Sequence, residues 1–182
     1  MNGQDFRKKE MTEGLLKEIF ENFNQEIFEV GEFRGQLYLI LKDRNSIKPL
    51  MRFLKERSFN HLQTLTAVDY SQLGRSYRFE VVYQLYSISN RCALRVRVPL
   101  KEEENIESIV EEYPSANFFE REVFDLFGIR FTGHPDLKRI LLPASWKGHP
   151  LRKDYPLEPE EKPEDFLSLK EFKEILATHG IK

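Results

Sequence analysis

One cysteine, Cys92, stands in 182 residues. A single thiol cannot supply a disulfide framework, a cysteine-rich zinc site or the ligands of an iron–sulfur cluster. Cys92 is expected to be a small strand residue, buried or half-buried. No apolar run approaches the roughly 18 residues of a membrane span. The opening stretch MNGQDFRKKEM lacks the apolar core of a secretion signal. The expectation is a cytoplasmic protein that meets a membrane only through a partner. The net charge of -2 leaves no general affinity for nucleic acid. Glycine-rich phosphate loops, dinucleotide fingerprints and nucleophile elbows are all missing.

What is present is a chain able to bury a core, 40% hydrophobic and 32% charged. Its length fits one domain plus an extension. Residues 1–11 read as a flexible, polar N-terminus. From Thr12, as a cap, Leu15, Leu16, Ile19, Phe20 and Phe23 mark a helical stripe. Ile27 to Val30 and Leu37 to Leu41 read as short strands around a bend at residues 31–35. Asn45 or Ser46 starts a second helix with Leu50, Phe53 and Leu54 inward, and Pro49 falls in its first turn.

His61 to Tyr70 reads as a strand with Leu62, Leu65 and Val68 as its apolar positions. Tyr77 to Tyr86 alternates, with Phe79, Val81, Tyr83 and Leu85 on one face and Arg78, Glu80 and Gln84 on the other. Leu94, Val96 and Val98 alternate with Arg95 and Arg97. Asn105 is expected to cap a helix carrying Ile106, Ile109, Val110 and Tyr113, stopped by Pro114. Asn117 opens another, with Glu120 as its capping-box partner, Phe119, Val123, Leu126 and Phe127 inward, and Gly128 as a left-handed cap. Ser168 to Glu171 fits a capping box for a last helix bearing Leu169, Phe172, Ile175 and Leu176, ended by Gly180. The predicted class is α+β: an antiparallel or mixed sheet covered by helices, then a long extended arm and a short terminal helix. The divisions are 12–130 for the domain, 131–167 for a partner-docking arm and 168–182 for the final helix.

Gly-His-Pro occurs twice in the arm, at Gly133-His134-Pro135 and Gly148-His149-Pro150, and six of the nine prolines lie between Pro135 and Pro163. From Arg130 to Lys153 the charge is basic: Arg130, Lys138, Arg139, Lys147, Arg152 and Lys153 against Asp136. From Asp154 to Asp165 it turns acidic. Opposed blocks on a stiffened strand suit docking along a complementary partner. A solvated tail is the plain alternative, but Phe131, Leu137, Ile140, Leu141, Leu142, Trp146, Leu151, Tyr155 and Leu157 are more large apolar residues than such a tail carries. Trp146 reads as an interface or core anchor. Glu120, Arg121, Glu122 and Asp125 crowd one helix. With His134 or His149 they could serve acid–base or metal chemistry. An ion-pair network with Arg121 and Asp125 one turn apart is the favoured reading, because no spacing matches a metal motif.

Glu120-Arg121-Glu122, Asp125-Leu126-Phe127-Gly128-Ile129, Phe131, Gly133-His134-Pro135-Asp136-Leu137, Arg139-Ile140-Leu141, Pro143, Trp146 and Gly148-His149-Pro150-Leu151-Arg152-Lys153-Asp154-Tyr155-Pro156 closely resemble the signature of the 30-kDa subunit of respiratory complex I, the bacterial NADH–quinone oxidoreductase. The match is dense from Glu120 to Pro156. Phe119 departs from it, standing where many relatives are expected to have Trp. The resemblance implies a peripheral-arm member of a proton-pumping translocase, with no catalytic residue, metal or cofactor of its own. FMN and iron–sulfur clusters would sit in partner subunits. It also implies packing on the 49-kDa subunit, next to a cluster-bearing neighbour and other peripheral-arm subunits, at the cytoplasmic face of the bacterial inner membrane. The signature residues would then serve the partner interface. Related membrane-bound hydrogenase and photosynthetic-type complexes use the same module with other electron donors. The remaining alternative is a free-standing metal-dependent enzyme using Glu120, Glu122, Asp125, His134 and His149.

Overall fold

The computed structural model describes residues 3–157 and 169–179. Ser168, Gly180 and the acidic residues from Glu158 to Asp165 therefore lie outside it, as do the side chains of Leu169, Glu171 and Phe172. The element order is α1 (Gly3–Phe23), β1 (Ile27–Phe33), β2 (Gln36–Leu41), α2 (Ile47–Glu56), β3 (His61–Asp69), β4 (Phe79–Ser87), β5 (Cys92–Leu100), β6 (Ile106–Glu107), α3 (Ala116–Phe127), β7 (Phe131–Thr132) and α4 (Leu169–Thr178). The five long strands form one mixed sheet in the order β1-β2-β5-β4-β3, and β6 and β7 form a parallel pair. The β2–β5 contact is parallel, whereas β1–β2, β4–β5 and β3–β4 are antiparallel. The α+β class and the mixed sheet agree with the sequence reading.

Phe79, Val81, Tyr83 and Leu85 pack with Leu94, Val96 and Val98 on one face of the sheet, in a core closed by Ile19 of α1, Leu50 and Leu54 of α2, and Val123 and Phe127 of α3. Cys92 is buried at the edge of the same core. Two details of the hairpin explain its shift from the expected bend. Gly31 stays within β1, where a Cβ would strike the Tyr38 ring. The turn is instead the pair Arg34-Gly35, both with positive φ, 51° and 75°, which matches the strand twist. Val68, one of the apolar positions of the strand, faces outward, and Ala67 is buried instead. A register shift between Leu62 and Thr64 moves the alternation by one.

Helix α1 begins at Gly3, well before Thr12. Its first turns are rich in Arg, Lys, Glu and Met, good helix formers whose polarity does not oppose a helix. The helix expected after Asn105 is absent. The segment forms β6 and then irregular turns. Its amides find partners elsewhere: Ile106 N donates to Arg130 O at 3.0 Å, Ser108 N to Thr132 O at 2.9 Å and Ile109 N to Glu120 Oε1 at 2.8 Å. Ile106, Ile109 and Tyr113 are buried as a helix would bury them. The apolar spacing is thus met by a turn whose hydrogen bonds are tertiary.

Candidate partner-docking face

Helix α3 is held inside the fold by two carboxylates, one on each side. Glu120 points inward and is fully buried, so it is not a capping-box residue. Its Oε1 receives the Ile109 amide, and Oε2 has no hydrogen-bond partner. Burial pushes its carboxyl up to about 7, against the hydrogen bonds from Ser108 and Ile109, with the Glu112 charge adding to the rise. Asp125, also fully buried, points toward the arm.

Around Asp125 the arm closes on the domain. Asp125 Oδ2 accepts three successive amides, those of Ile140 at 3.0 Å, Leu141 at 2.8 Å and Leu142 at 2.9 Å. Oδ1 accepts from Arg139 Nη1 at 2.7 Å. Burial alone would raise this carboxyl, but the three amides and Arg139 outweigh it and hold it below the usual carboxylate range. Arg139 Nη2 also donates to Gly148 O at 3.0 Å, tying the two halves of the arm together. Arg121, expected to pair with Asp125, donates instead to Lys138 O and Arg139 O, each at 3.2 Å. The one-turn spacing suits a pair, but a carboxylate that can take three amides and an arginine from the arm is better satisfied there.

The two Gly-His-Pro copies act as braces at opposite ends of α3. His134 accepts the Asp136 amide at Nδ1, 3.0 Å, so Nε2 carries the proton it gives to Asn117 O at 3.2 Å. His149 donates from Nδ1 to Asp125 O at 2.9 Å. Burial first, then Arg152 and Arg139, keep the His149 ring below its ordinary pKa. Each glycine has φ of 82°. Downstream, Leu151 N donates to Leu126 O at 3.0 Å and Arg152 Nε to Phe127 O at 2.6 Å. The Arg152 guanidinium lies 5.2 Å from the centre of the Phe79 ring and 3.5 Å from Glu102. Lys153 N donates to Asp69 Oδ2 at 2.9 Å, and Asp154 meets Arg78 at 2.7 Å. Tyr155 OH reaches Lys147 O at 3.2 Å.

Gly128 has the left-handed conformation read from the sequence, with φ of 76°. It also leaves room that a side chain would fill: a Cβ there would lie 2.6 Å from the His149 ring and 2.8 Å from Arg152. Gly128→Ala is expected to cost about 1–3 kcal/mol in chemical denaturation, because both the backbone and the brace must shift.

The arm differs from its sequence reading in three respects. The amides of Ile140, Leu141, Leu142, Leu151 and Lys153 already have acceptors in the domain. Arg139 and Arg152 take their acceptors from the chain's own domain rather than from elsewhere. Asp69, which receives the Lys153 amide, was missed, since a lone carboxylate at a strand end carries no motif. The residues of the metal-enzyme alternative are not brought together: Glu120 faces Ile109, Asp125 the arm, His134 and His149 opposite ends of α3, and Glu122 is exposed. Among the described residues no group of three or more His, Cys, Asp or Glu is placed to hold a metal ion.

Several apolar side chains of the arm and of α3 are exposed beside its charged ones. Leu141 is 60% exposed and Leu151 48%, Ile140 is also exposed, and Phe118 at the start of α3 is 62% exposed. Trp146, His134, His149, Pro150 and Tyr155 are half-buried, while Pro135, Gly148, Lys153, Asp154 and Pro156 are exposed.

Residues 40–161 match the family model described as respiratory-chain NADH dehydrogenase, 30 Kd subunit. The NADH-quinone oxidoreductase C subunit of Geotalea uraniireducens (strain Rf4) is 47% identical over 146 residues, 79% of this chain and 87% of that protein. The C subunit from Roseiflexus sp. (strain RS-1) is 49% identical over 135 residues, covering 72% and 76%. Among solved structures, the trypsin-resistant fragment (1-134) of Nqo5 superposes with a TM-score of 0.62 at 34% identity, over 70% of this chain and 99% of that one. A chain of the archaeal membrane-bound sulfane sulfur reductase shares the fold, with a TM-score of 0.67 at 24% identity, over 86% and 99%.

Proposed function

The chain belongs to the family of the respiratory-chain NADH dehydrogenase 30 Kd subunit, and from that membership we propose that it is a structural component of the peripheral arm of an NADH–quinone oxidoreductase, docked on the 49-kDa subunit through α3 and the arm. It holds no catalytic residue and no cofactor of its own. FMN and iron–sulfur clusters in neighbouring subunits carry the electrons to quinone, and this chain supports the assembly in which proton pumping follows. It reaches the cytoplasmic face of the bacterial inner membrane only through those partners, with a cluster-bearing neighbour close by. A single cysteine agrees with the absence of a cluster from this chain.

The observation that carries the docking face is the exposure of Ile140 and Leu141 on a backbone already locked by Asp125. A preorganised apolar face binds with little ordering cost. Arg152 is not a suitable probe of docking, because it braces the fold. Leu141 is, being exposed with only its amide engaged. Leu141→Asp is expected to lower co-purification with the co-expressed 49-kDa homologue by at least about tenfold, a loss of about 1.4 kcal/mol or more, with the melting temperature of the free chain unchanged. Full-yield co-purification of that variant contradicts the docking face. NADH as donor is favoured over the hydrogenase and photosynthetic-type settings by the names of the relatives near half identity. A nucleotide-binding flavoprotein among the products of the neighbouring reading frames tests it.

A further inference from the structure

The helices α1, α2 and α3 all pack on one face of the five-stranded sheet. The strand residues between the core positions face the other way, and among the described residues no helix covers them. Ile40 is buried on this side and stands apart from the core cluster. The register aligns Tyr38, Arg95, Gln84 and Thr64 in one row across β2, β5, β4 and β3. Arg95 is half-buried in that row. Its Nε donates to Gln84 Oε1 at 3.0 Å and its Nη2 to Gln36 Oε1 at 3.1 Å. Both acceptors are neutral, so the guanidinium is fixed in direction while its charge is not matched by them. Because Arg95 Nε can only donate, the Gln84 amide must turn its oxygen to it, and Gln84 Nε2 is left as a buried donor without an acceptor.

Arg97, in the adjacent row, is neutralised by Glu80 at 2.7 and 3.0 Å and lies 5.8 Å from the Tyr38 ring centre. Arg75 stands over Tyr70 and Tyr77 at 5.3 and 6.0 Å. The surface is thus rich in arginine and tyrosine, on the strands and on the loop from β3 to β4, the side chains in which binding energy concentrates. Glu80 and Glu29 share it, so its spare positive charge suits one carboxylate rather than a phosphate-rich or lipid surface.

The geometry points to a second docking surface, on the side of the sheet opposite α3: Arg95 receives an Asp or Glu side chain from a neighbouring subunit, with Tyr38 beside it. This rests on the chain being part of a larger complex. The partner's carboxylate meets the Arg95 guanidinium in a site already ordered by Gln36 and Gln84, so charge complementarity also sets its orientation.

The test uses the complex purified through another of its proteins, with a benzophenone amino acid at the exposed Thr66. Presence of this chain in the purified complex is scored first by immunoblot, which tests the family reading separately from the face. On illumination Thr66 is expected to link to one other protein of the complex, on a peptide containing Asp or Glu. Arg95→Glu lowers that link about tenfold or more, and reversing the mapped acid to arginine restores it. If the free Arg95→Glu chain does not fold, Thr64→Trp, exposed in the same row, gives the same loss. An assembled complex with no link at Thr66, a link to a second copy of this chain, or links undiminished by both variants overturns the proposal.

Discussion

Asp125→Ala is expected to cost about 3–5 kcal/mol in denaturant unfolding of the free chain, because it removes the buried acceptor of three partly buried amides and of Arg139 together. The carboxylate is fully buried and Arg139 is mostly so, with side-chain exposures of 0% and 21%. The variant would therefore leave three partly buried N–H groups without their acceptor and Arg139 with only the Asp125 and Gly148 carbonyls. Residues 131–157 should become protease-sensitive before the sheet does, since only the arm hangs on this group. Asp125→Asn keeps one oxygen and should lose less. The pH dependence has a definite sign. The folded-state carboxyl is held below its ordinary value, so its stabilisation is complete above the unfolded pKa near 4 and is lost as pH falls through the lower folded value. An Asp125→Ala midpoint within about 0.5 kcal/mol of the native protein would mean that the arm is not held here.

Glu120 should behave in the opposite sense. Its folded pKa of about 7 stands above the unfolded value of 4.5, so the native state binds the proton more tightly. Stability should be highest below the unfolded value and fall as pH rises through the window between the two, by about 3 kcal/mol in total. The groups that face it are Ser108 and Ile109 N, which favour the charged form, Glu112, which opposes it, and Tyr83, whose buried hydroxyl also lacks a partner and is pushed well above its ordinary pKa by burial and by Glu120. Glu112 itself is paired with Arg52 at 3.1 Å. Glu120→Gln retains an oxygen for Ile109 N and cannot ionise. The difference in unfolding free energy between native protein and variant should change in the variant's favour from pH 5 to pH 8. A difference that is flat over that range would place the Glu120 carboxyl at an ordinary pKa.

The sheet was legible because its signals are local. Period-two alternation in β4 and β5 reports which face is buried, and Gly128 after an apolar helical stripe reports a left-handed cap. The segment after Asn105 was misread because Ile106, Ile109 and Tyr113 satisfy a helical period while their backbone bonds to Arg130, Thr132 and Glu120, which no local pattern records. Glu120 had the right spacing for a capping box, yet a buried amide at Ile109 claimed it. In the arm the sequence shows prolines, apolar residues and opposed charges, but not which groups those charges meet. Arg139 and Arg152 look like interface cations in sequence, and only the return of the chain over α3 puts Asp125 and the Phe127 carbonyl within reach. The two histidines stand in the sequence as candidates for acid–base or metal chemistry or for the partner interface. Their role, bracing two carbonyls of one helix, depends on distances that spacing alone does not carry.

The central claim is that the arm is latched on its own domain before any partner arrives and so presents a ready-made face. Amide hydrogen exchange of Ile140, Leu141 and Leu142 in the free, full-length chain tests this most directly. These three amides are expected to exchange slowly without a partner, and Asp125→Ala to release all three together. Exchange at the rate of an unstructured peptide in the free chain, with protection only after the 49-kDa homologue is added, would contradict it.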